Sequence, residues 1–136
     1  MTPDAAQVTR RLVRGLTAWG SASVALGGIL ALTGRSSAAR TFGQQSAMWG
    51  AVDLGLAALA APTRRPVAAR VLRRILLVNV ALDVGYVAAG GHLAARTPSL
   101  GGRLTRDQAR GHGLAVVIQG IALFVIDLTN ARRLRR

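Results

Sequence analysis

Five clusters of arginine divide this chain into four long stretches without a cationic residue, and each stretch is about as long as a membrane is thick. The clusters run Arg10 to Arg14, Arg35 to Arg40, Arg64 to Arg74, Arg96 to Arg110 and Arg132 to Arg136. A spanning helix needs about 20 mainly apolar residues to cross roughly 30 Å of hydrocarbon. The intervals supply apolar runs over residues 12–33, 42–61, 75–93 and 113–130, and arginine blocks of this kind mark the water-facing ends of membrane spans. The expected fold is therefore all-α: a transmembrane four-helix bundle, up-down-up-down, forming one domain over residues 1–136.

Charge narrows the range of partners. All 18 cationic residues are Arg, the 5 acidic ones are all Asp, and the formal net charge is +13. A soluble protein so basic would suggest nucleic acid, whose phosphates release counterions to arginine. Here the arginines punctuate apolar runs instead of forming one basic face, so a lipid bilayer is the expected partner and nucleic acid is not. With no Cys, and with His92 and His112 lacking partners at metal-ligand spacing, neither a metal nor a cofactor is expected. Both histidines read as span-end residues.

Breakers fall between the runs. Thr33-Gly34-Arg35-Ser36-Ser37, Pro62-Thr63-Arg64-Arg65-Pro66 and Thr97-Pro98-Ser99-Leu100-Gly101-Gly102 each hold residues that end helices. Arg10-Arg11 ahead of an apolar run also fits a twin-arginine export signal. That run is longer than a signal's usual ~7 to 15 apolar residues, and no clear small-x-small cleavage site follows, so a first span is the better reading. Of the 18 Arg, 12 fall at the termini and central loop against 6 in the other two loops, which predicts an inner-membrane protein with both termini cytoplasmic.

Small residues recur every fourth position at Ser23, Gly27 and Ala31, and again at Ala81, Gly85 and Ala89. In lipid such stripes allow close backbone approach, within one bundle or across a homodimer. The segments Asp53-Leu54-Gly55-Leu56-Ala57-Ala58 and Asp83-Val84-Gly85-Tyr86-Val87-Ala88 also resemble each other, which hints at an inverted repeat.

Polar residues inside the runs carry the functional signal, because a charged side chain at mid-bilayer costs about 2.5 to 3.5 kcal/mol and usually turns inward to a partner. Asp53 lies nine residues before Pro62 and Asp83 eight after Ile75, so both sit roughly 12 to 14 Å from the cytoplasmic boundary. Helical spacing adds Gln45 and Trp49 to the stripe of Asp53, and Asn79, Tyr86 and Gly90 to that of Asp83. The fourth run contributes His112, Gln119 and Asp127. Trp19 reads as a packing or interfacial residue. Such carboxyls are tolerated if they are protonated, share one proton, or pair with an arginine reaching inward, for which Arg14, Arg73 and Arg74 are placed.

Three stretches resemble a family of small bacterial four-span membrane proteins. They are Phe42-Gly43-Gln44-Gln45-Ser46-Ala47-Met48-Trp49-Gly50-Ala51-Val52-Asp53, then Ile75-Leu76-Leu77-Val78-Asn79-Val80-Ala81-Leu82-Asp83-Val84-Gly85-Tyr86, then Gly111-His112-Gly113 with Ile118-Gln119-Gly120 and Asp127. The resemblance implies a four-span fold with a polar intramembrane centre and names no reaction. In the second run the family is richer in Asn and His than this chain.

Three functions fit these features. In one, a small lipophilic molecule binds at Gln45, Trp49, Asn79, Tyr86, Gln119 and Asp127, with Asp53 and Asp83 as candidate catalytic acid and base in an enzymatic version. In the second, the polar core only fixes the packing of a structural or accessory subunit. In the third, the carboxyls relay protons in a transporting oligomer. Topology is open to direct test: a fluorescent protein fused behind Arg136 should glow, and an alkaline phosphatase fused there should stay inactive. Phosphatase activity at that end would reverse the orientation.

Overall fold

The computed structural model describes residues 4–61 and 67–134, and its regular elements are α1 (Ala5–Thr33), α2 (Ser37–Ala60), α3 (Ala69–Arg96) and α4 (Arg106–Arg133). Short polar side chains start three of them. Asp4 accepts from the Gln7 amide at 2.6 Å and Ser36 from the Ala39 amide at 3.0 Å. At α4, Thr105 accepts from the Gln108 amide at 3.2 Å while Gln108 Oε1 accepts from the Thr105 amide at 2.9 Å, a reciprocal cap that satisfies two end groups at once. The caps lie outside the apolar runs, so most helix ends extend past them into arginine-bearing turns. The α3–α4 connection turns through left-handed backbone at Thr97, Leu100, Gly101 and Gly102. The proline-flanked breaker at residues 62–66 lies outside the described residues.

Glycine determines which helices meet. An added Cβ on Gly20 would lie 2.8 Å from the carbonyl oxygen of Gly50, and one on Gly27 2.7 Å from that of Gly43, so α1 and α2 run antiparallel almost backbone to backbone. Gly90 and Gly113 make the same contact between α3 and α4, at 2.8 and 2.5 Å. The two hairpins then join where Gly111 of α4 meets the backbone of Ala38 on α2. Paired residues keep a near-constant offset along α2 and α4, Gln45 with His112 and Asp53 with Gln119, so these helices run parallel. They form the short diagonal of an up-down-up-down bundle, with α1 and α3 on either side of it and the α2 and α3 backbones scarcely approaching each other.

The two small-residue stripes have different fates. Ser23 and Gly27 are buried against α2, which makes the first stripe an intramolecular seam. Ala81, Gly85 and Ala89 are all exposed, and nothing lies within 4 Å of Gly85, because α3 turns Leu72, Leu76, Asp83 and Gly90 inward instead. The similarity of the Asp53 and Asp83 segments likewise stops at the local level: α2 packs on α1 and α4, whereas α3 packs chiefly on α4.

Apolar packing is concentrated at the end of the bundle that carries both chain termini. Val8, Leu72, Leu76, Ala131 and Leu134 form a buried cluster there, with Ala5 and Leu12 against it. Along the helices the usual arrangement is reversed. Asp53, Asp83, Gln119, Asp127 and Asn130 are buried, while Leu26, Leu32 and Leu59 are 68%, 87% and 77% exposed. Two helices, α1 and α4, are long and apolar enough to cross a membrane by length and composition. α2 and α3 interrupt their apolar runs with Gln44, Gln45 and Asp53 and with Asn79 and Asp83.

Overpacking the glycine seams should pry the two helices of a hairpin apart. Gly43→Leu and Gly113→Leu are each expected to cost about 1 to 3 kcal/mol or more in unfolding measurements. Gly55→Ala and Gly85→Ala, which face open space, should be neutral or stabilising by about 0.5 to 1 kcal/mol. Equal effects at the two kinds of position would contradict the packing described.

Candidate functional site

The polar interior is a column of side chains arranged in levels along α4. Nearest the loop joining α1 to α2, Nδ1 of His112 lies 2.9 Å from Oε1 of Gln45. An amide oxygen can only accept, so this pairing places the imidazole proton on Nδ1. One turn further along α2, the rings of Trp49 and Tyr86 meet edge to face, with centroids 5.2 Å apart and planes at 69°. This ring pair is the side-chain bridge across the otherwise open α2–α3 seam.

Below the rings lies the centre of the column. Gln119 on α4 joins three helices: its Oε1 accepts from the Trp19 indole at 3.0 Å, and its Nε2 donates to Oδ2 of Asp53. Asp53 is fully buried and Asp83 is 3% exposed. Asp83 and Asp127 are both close enough to Asp53 to act on it electrostatically, or it on them, and Asn79 reaches across from α3 to Asp127. Oδ1 of Asp53 and Oδ2 of Asp83 are buried without a hydrogen-bond partner among the described residues. Asp53 and Asp83 interact electrostatically, and no hydrogen bond is seen between their carboxyls.

The arginines expected to neutralise the carboxyls do not do so. Arg14 and Arg74 are exposed and Arg73 is half-buried, and none acts on the three Asp side chains. The cause is the apolar cluster at the terminal end. Leu12 and Leu16 beside Arg14, and Leu72 and Leu76 beside Arg73 and Arg74, occupy the inward-facing positions of the same helical turns, which leaves the arginines only outward directions.

Every residue expected at the site lines this column, from Gln45 and Trp49 through Asp53, Asn79, Asp83 and Tyr86 to Gln119 and Asp127. Two further members read differently in the sequence. His112 looked like a span end, but the Thr105 cap starts α4 early enough to place it well inside the helix, half-buried. Trp19 looked like a packing residue, yet it lies four residues before Ser23 on the stripe that faces α2, and that spacing was the available signal. His92 is exposed and outside the column.

A groove of about 210 Å³ opens on the α1, α2 and α4 side, lined by Leu26, Phe42 and Ile118 on its walls and reaching Trp19, Ser23 and Gln119. The amide that borders this groove is therefore the same one that holds Asp53.

Fold and site together define an all-α four-helix protein with a polar interior of carboxyl, amide and aromatic side chains. The chain belongs to the family of unknown function DUF6992, whose family model matches residues 15–128. That match includes every member of the column from Trp19 to Asp127. No curated protein and no solved structure matches the chain.

Removing the Gln119 amide should expose its structural role. Gln119→Leu leaves the Trp19 indole and Asp53 Oδ2 without their partner and is expected to cost about 1 to 2 kcal/mol. Its tryptophan emission should shift as the indole loses its acceptor. Unchanged stability and emission would remove Gln119 as the link between the helices.

Proposed function

We propose that the protein is a four-span integral membrane protein, with both termini in the cytoplasm, that binds a small lipophilic molecule at its polar centre. The membrane part of this reading is supported by the reversal of polarity between interior and surface. The most apolar windows of α1 and α4 are only 17% and 33% buried, whereas the core helix of a soluble protein would be mostly buried. The other two helices carry outward apolar stripes as well: Met48, Val52, Leu56 and Leu59 on α2, and Val71, Ile75, Val78 and Leu82 on α3, all exposed at helical spacing. An apolar surface this extensive needs a cover, and hydrocarbon covers all four helices alike.

The binding part rests on one observation: two buried carboxylate oxygens, Asp53 Oδ1 and Asp83 Oδ2, have no partner among the described residues. A buried polar atom without a hydrogen bond costs about 1 to 3 kcal/mol, more if charged, and the column satisfies its other amides and its imidazole locally. Atoms left over in this way can take hydrogen bonds from a bound molecule. Such a molecule can arrive from the bilayer, through the groove beside Trp19 or through the α2–α3 seam.

A structural role has one observation in its favour: Gln119 uses both ends of its amide to hold α1 and α2 in register. The two readings predict different results for the same variant. If binding is the function, organic extracts of protein purified from membranes in mild detergent should contain a lipophilic molecule in near-stoichiometric amount, which the Asp53→Leu/Asp83→Leu variant loses. If the column only sets register, extracts of the two proteins will match, and the variant will lose stability because Gln119 Nε2 is left without its acceptor.

A further inference from the structure

We propose that the molecule bound at the polar centre is a lipophilic ammonium ion, its charged head held between the carboxyls of Asp53 and Asp83 and the rings of Trp49 and Tyr86. The inference rests on the binding reading above and adds the chemical class of the ligand.

The first argument is charge. Asp53, Asp83 and Asp127 lie within electrostatic reach of one another, and no arginine among the described residues reaches them although the chain holds 18. With a neutral guest, only protonation would neutralise that cluster. An ammonium ion supplies the missing opposite charge inside a low-dielectric interior, where such attraction is strongest.

The second argument is hydrogen-bond polarity. An ammonium guest favours the ionised form of both carboxyls, in which Oδ1 of Asp53 and Oδ2 of Asp83 are acceptors, and both lack a partner among the described residues. A carbonyl- or ether-bearing guest offers them nothing, whereas an ammonium group carries several donors and can reach two acceptors at once.

The third argument is aromatic placement. The chain has only 5 aromatic residues, and Trp19, Trp49 and Tyr86 are all drawn into this column. Trp49 lies four residues before Asp53 on α2 and Tyr86 three after Asp83 on α3, so each ring shares a face with its carboxyl one turn away. The negative face of an aromatic ring attracts a cation, and tryptophan does so best. Rings above and carboxyls below make a site for a cation with an apolar body. The seam between α2 and α3 also supplies a way in, because side chains and not packed backbone close it, and Tyr86 is 37% exposed.

A matched pair of probes isolates the charge: 4-phenylbutylamine and 4-phenylbutanol, titrated by calorimetry into the full chain in phospholipid nanodiscs, with empty nanodiscs subtracted. The amine is expected to bind about tenfold tighter than the alcohol. The preference should vanish in Asp53→Asn/Asp83→Asn, whose helicity is checked by circular dichroism. Should that variant lose its fold, Tyr86→Leu at a partly exposed position is expected to weaken the amine and spare the alcohol. An unchanged amine preference in Tyr86→Leu overturns the assignment. Equal binding of both probes, lost together in the Asn variant, overturns the ammonium assignment and leaves a lipophilic-molecule site standing. Binding of neither probe above the level of the Asn variant also overturns it, and the organic extracts then decide the broader reading alone.

Discussion

Backbone-to-backbone contact at glycine is the constraint from which the other features of this protein follow. Gly20 and Gly27 against Gly50 and Gly43 weld α1 to α2, and Gly90 against Gly113 welds α3 to α4. Each hairpin is closed so tightly that its seam has no room for large side chains. The interior that remains lies along the diagonal where α2 and α4 run parallel, and this is where the polar residues gather. In hydrocarbon this arrangement is also energetically consistent, since helices there associate through close packing and hydrogen bonds and not through the hydrophobic effect.

The amide of Gln119 links that geometry to chemistry. It takes one bond from Trp19 and gives one to Asp53, so α1 and α2 are each tied to α4 at one level. Asp83 receives no such tie, and α3 is the helix least enclosed by its neighbours. Asp83 thus carries its orphaned oxygen on that least enclosed helix. The satisfied half of the column is structural in character, and the unsatisfied half is where the proposed ligand belongs.

Much of this was legible in the sequence, for definable reasons. Helical periodicity, with the cost expected of polar groups inside apolar runs, is enough to assign Gln45, Trp49, Asp53, Asn79, Asp83, Tyr86, Gln119 and Asp127 to shared faces of their helices. Periodicity assigns faces but not partners, so it did not reveal that Asp53 bonds Gln119 and shares no bond with Asp83. Nor did it separate the stripe at Gly27, buried against α2, from the one at Gly85, open to the outside, since both have the same spacing. The arginines mislead for a related reason. Their positions in the sequence are near the carboxyls, but Leu12, Leu16, Leu72 and Leu76 hold the inward directions at that level. Arg side chains can reach far, yet not through a filled core.

That apolar cluster has a consequence of its own. Val8, Leu72, Leu76, Ala131 and Leu134 stopper the polar column at the end where both chain termini emerge. A column stoppered at one end is a pouch and not a conduit. On the binding reading proposed above, a guest held at Asp53 and Asp83 would leave by the side through which it came, and the protein would hold or hand over that guest within one face of the membrane. Vectorial passage would require the stopper to be dismantled on every cycle, and with it the packing that joins α1, α3 and α4.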